Sequence, residues 1–234
     1  MLFISPPFGN YINIPYTTQI KGSFTLYERK GLFLQIFKTL RYSYMYNGWI
    51  NKIGLRNKGI DWAISNYSKN TIISIAIMNG NEINQFLDKI PDDMDIEINI
   101  SCPNTKHSLI SNNINKFLNP NRKWCSIKLS PYTTIEQIDC YYKQGFRLFH
   151  CSNTLPINKG GLSGISLIPY TTNLIKDIRN KYSDIEIIAG GGIRNINTLN
   201  MYKNVGANHY SISSLLFNPI SFFKFYIDYI YFEC

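Results

Sequence analysis

Eight short runs rich in β-branched and aromatic residues recur along the chain, at 2–5, 17–23, 71–77, 95–101, 124–130, 146–152, 185–190 and 209–213. Segments with helical periodicity lie between or after the later runs, at 81–90, 108–118, 134–144, 170–181, 197–204 and 219–229. Strands that alternate with helices of about 10–15 residues lie parallel, because each helix carries the chain back to the same edge. Eight such units argue for closure, and a chain of 234 residues is the size of one (β/α)₈ barrel. The expected class is therefore α/β, a (β/α)₈ TIM barrel forming one domain over 1–234. An open doubly wound sheet is the competing arrangement, but no GxGxxG turn follows the first run.

Two stretches break the pattern. Residues 6–16 contain Pro7, Gly9, Asn10 and Pro15, which leaves no room for a helix, so the first βα unit is clipped. Residues 23–61 form a long excursion without a clear strand or helix pattern. Long connections at the C-terminal ends of barrel strands usually carry function.

Composition narrows the classes further. The net charge is +9, but Lys and Arg are scattered with no run of five, which argues for a solvated surface and against a nucleic-acid partner. Five cysteines (Cys102, Cys125, Cys140, Cys151 and Cys234) are an odd number without CxxC spacing, so neither a disulfide framework nor a zinc or iron–sulfur site is expected. His107, His150 and His209 are isolated in sequence and read as structural residues. No basic leader and no apolar stretch of about 20 residues is present, so the expectation is a cytoplasmic protein without a membrane segment. The aromatic tail, 222–232, reads as a helix closing the barrel.

Active sites of such barrels sit at the C-terminal ends of the strands. The fourth run leads into Asn99-Ile100-Ser101-Cys102-Pro103-Asn104-Thr105, and the fifth ends Lys128-Leu129-Ser130-Pro131. The sixth ends Cys151-Ser152-Asn153-Thr154 and is followed by Gly160-Gly161-Leu162-Ser163-Gly164. The last two end Gly190-Gly191-Gly192 and Ser211-Ile212-Ser213-Ser214. Glycines and hydroxyls on the last two strands suit a phosphate, since the backbone approaches closely and its N–H groups complement the charge. Asn99, Asn104 and Asn153 offer donors and acceptors to a planar polar ring. Among them, Cys102 is a candidate base or nucleophile.

Taken together, these motifs resemble those of dihydroorotate dehydrogenases. Asn-Ile-Ser-Cys-Pro-Asn-Thr, Lys-Leu-Ser-Pro, and Ser-Asn-Thr followed by Gly-Gly-Leu-Ser-Gly are similar to the family's signatures. Upstream, Lys21-Gly22-Ser23-Phe24-Thr25-Leu26 resembles its second-strand lysine motif, and Asn51-Lys52-Ile53-Gly54-Leu55-Arg56-Asn57 its substrate loop. The matches occur in order from about residue 17 to 217.

The resemblance implies FMN and the oxidation of dihydroorotate to orotate in pyrimidine biosynthesis. It implies that Cys102 removes a proton while flavin N5 takes a hydride, and that Lys128 stabilises the reduced flavin. Lys21, Gly22, Ser23, Asn99, Lys128, Asn153, Gly164, Gly191, Gly192, Ser213 and Ser214 are the implied cofactor residues. Lys21, Asn51, Ile53, Gly54, Leu55, Asn99, Asn104, Asn153 and Thr154 are the implied substrate residues. A cysteine base points to the soluble classes of the family, which are commonly homodimers, and leaves fumarate, NAD through a partner subunit, and quinone open as acceptors. The chain departs from the family at Lys106-His107-Ser108, where a small-residue turn is usual, and at Ser213-Ser214, where many relatives have Gly-Thr. A tRNA-dihydrouridine synthase would share the FMN barrel and a Cys-Pro motif, and an inactive flavin-binding barrel would share the fold.

Overall fold

The computed structural model describes residues 1–100 and 113–233. Eight parallel strands close into a barrel: β1 (Leu2–Ile4), β2 (Thr17–Phe24), β5 (Thr71–Ala76), β6 (Ile96–Asn99), β7 (Cys125–Lys128), β8 (Leu148–Cys151), β11 (Glu186–Gly190) and β12 (His209–Ile212). Each expected run supplies one strand. A second, antiparallel sheet has the order β3-β4-β10-β9 and is built from β3 (Arg41–Ser43), β4 (Gly48–Asn51), β9 (Leu155–Ile157) and β10 (Gly160–Gly164).

The period of two along each barrel strand sorts its side chains. Leu2, Ile4, Ile73, Ile75, Ile96, Ile98, Ile127, Phe149 and Ile187 belong to the main core beneath the surrounding helices. Their neighbours Phe3, Ile20, Ile72, Leu148 and Ile188 join Trp124 in a separate apolar cluster that plugs the barrel. Phe3 and Trp124 meet edge to face with centroids 5.3 Å apart, a geometry that aromatic quadrupoles favour. Further along the strands the same inward positions turn polar, as Ser74, Glu97, Asn99, Ser126, Lys128, His150 and Ser211, all buried. A lined cup of buried polar groups on an apolar floor is costly unless the groups pair with each other or with a ligand.

A short helix, α1 (Leu32–Thr39), lies in the long excursion, and a second, α2 (Ile60–Ser65), begins at its end. The outer layer continues with α3 (Glu82–Lys89), α4 (Ile135–Lys143), α5 (Ile168–Lys181), α6 (Ile196–Asn204) and α7 (Pro219–Glu233). Local chemistry sets some of their ends. The Asn195 side chain accepts the Thr198 N–H at 3.0 Å and starts α6, and Gln137 reaches back to the Thr134 N–H at 3.0 Å at the start of α4. Between β1 and β2 there is only a 3₁₀ turn, Phe8–Asn10, as the prolines there require. It packs so tightly that a Cβ on Gly9 would lie 2.2 Å from the Ile20 carbonyl oxygen. Of the expected helix at 108–118, the described part is a 3₁₀ turn, Ile114–Phe117; the remainder lies outside the described residues.

The second sheet supplies what the sequence reading lacked, since that reading left 23–61 without a clear strand or helix pattern and gave 160–164 no strand. Gly-Gly-Leu-Ser-Gly has little strand propensity of its own. Pairing creates the strand: Gly161 lies opposite Asn51, Leu162 opposite Ile50 and Gly164 opposite Gly48. Ile50, Leu155, Leu162 and Leu167 form the small core beneath it. Trp49 stacks on Phe217 at 4.3 Å, and Arg194 donates to the Asn47 carbonyl at 2.7 Å. The sheet is thereby fixed to the loops that follow β11 and β12. Among the described residues no helix is long and apolar enough to cross a membrane.

Candidate active site

Three inward side chains stand side by side on neighbouring strands. The register sets Asn99 beside Lys128, and Lys128 beside His150. Asn99 donates to Ser23 Oγ at 2.8 Å, and that hydroxyl lies 2.9 Å from Ser74 Oγ. Asn153, just past β8, donates to Asn99 Oδ1 at 3.3 Å and accepts the Thr154 N–H at 2.8 Å. The two amides therefore have assigned orientations before any ligand arrives, the preorganisation that polar recognition needs.

Below this row Glu97 is wholly buried. Its Oε2 lies 2.5 Å from His150 Nδ1 and its Oε1 3.6 Å from Lys128 Nζ. Burial alone would raise the Glu97 carboxyl, but Lys128, His150 and Ser74 together pull it down to about 2. Burial, reinforced by the Lys128 charge, holds the His150 imidazole below its ordinary range. At neutral pH the group is thus a carboxylate, an ammonium and a neutral imidazole, and Nδ1 carries the proton donated to Glu97.

A cleft opens above, lined by Lys128, His150, Asn153, Gly164, Gly191, Gly192, Ser213 and Ser214 among others. Gly191 and Gly192 have φ of +90° and +80°. A Cβ on Gly192 would lie 2.6 Å from Ile168 Cγ1, so glycine lets the turn after β11 seat against the start of α5. Among the described residues, the backbone N–H groups of Gly191, Gly192, Ser213 and Ser214 make no hydrogen bond. Four uncommitted donors from two adjacent strand ends line one cleft, which is the chemistry of an anion site. The Ser213 hydroxyl itself is committed to the Pro6 carbonyl at 2.7 Å.

The excursion places the loop Asn51, Ile53, Gly54 and Leu55 at the end of β4. Gly54 and Leu55 both have positive φ, +67° and +55°. Asn57 pins the loop by accepting the Thr25 N–H at 3.1 Å and donating to the Leu55 carbonyl at 2.7 Å. Lys21 stands apart from the other expected residues. It lies opposite Ile73, on the face of β2 that meets the outer core, and it is not part of the cleft lining. Cys102 and Asn104 lie outside the described residues.

Glu97 and His150 were not among the expected site residues; His150, isolated in sequence, is paired in space with Glu97. The signal was present in the sequence: a Glu between Ile96 and Ile98 sits at an inward position of an apolar strand and requires a buried partner. Which residue would meet it depended on register across two strands.

No protein-family model matches the chain. The catalytic subunit of dihydroorotate dehydrogenase B (NAD(+)) from Petrotoga mobilis is 31% identical over 218 residues, covering 78% of this chain and 70% of that one. The chain belongs to the dihydroorotate dehydrogenase family. The corresponding subunit from Thermotoga maritima is 27% identical over 195 residues, covering 72% of each chain. In fold, the chain is similar to a ligand-free dihydroorotate dehydrogenase from Eimeria tenella, with a TM-score of 0.72 at 17% identity, over 95% of this chain and 81% of that one. Members of the dihydroorotate dehydrogenase family are flavin oxidoreductases, and this chain is an enzyme of that type.

Proposed function

We propose that the protein oxidises dihydroorotate to orotate, a step of pyrimidine synthesis, as one FMN-binding barrel domain spanning 1–234. The observation that carries the reading is convergence: Lys128 and Asn153, the latter hydrogen-bonded to Asn99, share one cleft with the four uncommitted N–H donors of Gly191, Gly192, Ser213 and Ser214. The residues present fit the cofactor. The N–H donors suit its phosphate, Gly164 lies at the same corner, and the Lys128 ammonium suits a ring that gains negative charge on reduction. FMN, when bound, supplies the hydride acceptor.

The chain's own residues do the rest. Asn99, Asn153 and Thr154, with Asn51 and Asn104, hold the substrate's amide and carboxylate edges, while Ile53, Gly54 and Leu55 cover it. Gly22 and Ser23 contribute from β2 to the cofactor side, whereas Lys21, on the outer face of that strand, is left out of the proposed site. Cys102 takes the proton that leaves the substrate carbon. Cys125 and Cys151 are poor alternatives for that role, since burial pushes Cys125 up to about 12 and raises Cys151 as well. The names of the sequence relatives support NAD through a partner subunit as the acceptor, ahead of fumarate and quinone. A soluble cytoplasmic homodimer acting on a small molecule, without nucleic acid, completes the proposal.

The deciding experiment is anaerobic mixing of the purified protein with dihydroorotate. The expected result is about one FMN per chain, bleached by dihydroorotate and reoxidised by an artificial dye. Protein that neither carries nor takes up FMN would refute the proposal.

A further inference from the structure

His150 has one ring nitrogen engaged and one open. Nδ1 is held by Glu97 at 2.5 Å, whereas Nε2 has no hydrogen-bond partner among the described residues. The side chain is only 2% exposed, yet His150 is part of the cleft lining. Its far edge is bordered by Gly190: a Cβ there would lie 2.9 Å from Nε2, so the missing side chain is what leaves the nitrogen uncovered. Nε2 therefore faces the cleft as a polar atom that the described protein groups leave unpaired, open to a ligand group.

The chemistry of the open atom follows from its surroundings. The charged groups that face the ring are Glu97 on β6 and Lys128 on β7; on the β11 side it is bordered by Ile188 and Gly190, neither of which carries a charge. With Nδ1–H donating to a carboxylate, Nε2 carries a lone pair and is an acceptor only. It therefore calls for a donor. The cleft between Lys128 and the N–H groups of Gly191, Gly192, Ser213 and Ser214 is where a chain joining a planar ring to a phosphate must run.

We propose that His150 Nε2 accepts a hydrogen bond from a hydroxyl of the polyol chain of the bound flavin nucleotide, which makes His150 a cofactor-binding residue and Glu97 the group that fixes its tautomer. The assignment rests on the FMN reading above. A neutral hydrogen bond whose loss leaves a hydroxyl buried and unpaired is worth about 5- to 30-fold in affinity.

The test compares three flavins on apoprotein by quenching of flavin fluorescence: FMN, riboflavin, which lacks the phosphate, and lumiflavin, which lacks the polyol chain. His150→Phe should weaken FMN and riboflavin by about 5- to 30-fold and leave lumiflavin within about twofold. Since this variant also strips Glu97 of a partner and can fail to fold, a second measurement uses wild-type protein alone. There, one FMN analogue lacking a single chain hydroxyl should bind more weakly by a similar factor. Equal losses for all three flavins, or wild-type affinity for every deoxy analogue, would overturn the assignment while leaving the FMN reading intact. Wild-type protein that binds none of the flavins would overturn both.

Discussion

Glu97 on β6 and His150 on β8 meet at 2.5 Å inside the barrel, although β7 lies between their strands. Lys128, from the intervening β7, supplies the positive charge that balances the pair, with Nζ 3.6 Å from Glu97 Oε1. The three form one electrostatic unit under the cleft, and its members are not separable.

Removing Glu97 should be severe. Glu97→Ala leaves the Lys128 ammonium buried without a counter-charge, and breaking a buried pair from one side costs about 3–5 kcal/mol. Urea denaturation of the two proteins measures the difference. A change within about 0.5 kcal/mol, the range of ordinary surface substitutions, would show that the unit contributes little.

The same unit makes stability acid-sensitive. Glu97 is held at about 2 against an ordinary 4.5, and burial holds His150 below its ordinary 6.5. Both groups take up protons more readily when unfolded. Their contribution is complete above about pH 6.5 and is lost as the pH falls, first through the histidine range and then, below about pH 4.5, through the carboxylate range. Melting temperature should therefore decline steadily on acidification. His209, also held below 6.5 by burial, adds to the first phase, so a His150 variant should flatten it only in part. A melting temperature independent of pH between about 8 and 4 would contradict this linkage.

Two glycines separate the role of the turn after β11 from general backbone strain. Gly192 and Gly31 both have positive φ, +80° and +91°, but a Cβ meets Ile168 Cγ1 at 2.6 Å in the first and open space in the second. Each alanine variant should lose about 1–2 kcal/mol of stability from the unfavourable φ. Gly192→Ala alone should also weaken FMN binding, at least tenfold, because the turn that presents the N–H groups must move. Comparable FMN affinities for the two variants would detach that turn from the cofactor.

Cys102→Ala should retain FMN and lose about 10²–10⁴ in the rate of flavin reduction by dihydroorotate, the usual consequence of deleting a positioned base. Cys102→Ser should be slower than wild type, with its activity limb at higher pH, since a hydroxyl is the weaker acid. Alanine at Cys125, Cys140 or Cys151 serves as the control and should leave the chemical step nearly unchanged. Stopped-flow bleaching with wild-type speed in Cys102→Ala would assign the proton to another group.

Much of this was legible in the sequence. The alternation of eight strand-like runs with helical segments determined the barrel, because side-chain periods of 2 and 3.6 dictate which faces can be buried. Motif spacing also placed Asn99, Lys128, Asn153, Gly191, Gly192, Ser213 and Ser214 at strand ends, where they share one cleft or its rim. Tertiary structure decided the remainder. Gly160–Gly164 became a strand only because β4 offered its backbone groups a partner. Lys21 came to share a face with Ile73, away from the cleft lining. Glu97 found His150 because closure of the barrel fixes register between strands more than 50 positions apart in sequence, 53 for this pair. Local propensity can specify a period and a turn, but a contact between distant strands is set by the closure and stagger of the whole sheet.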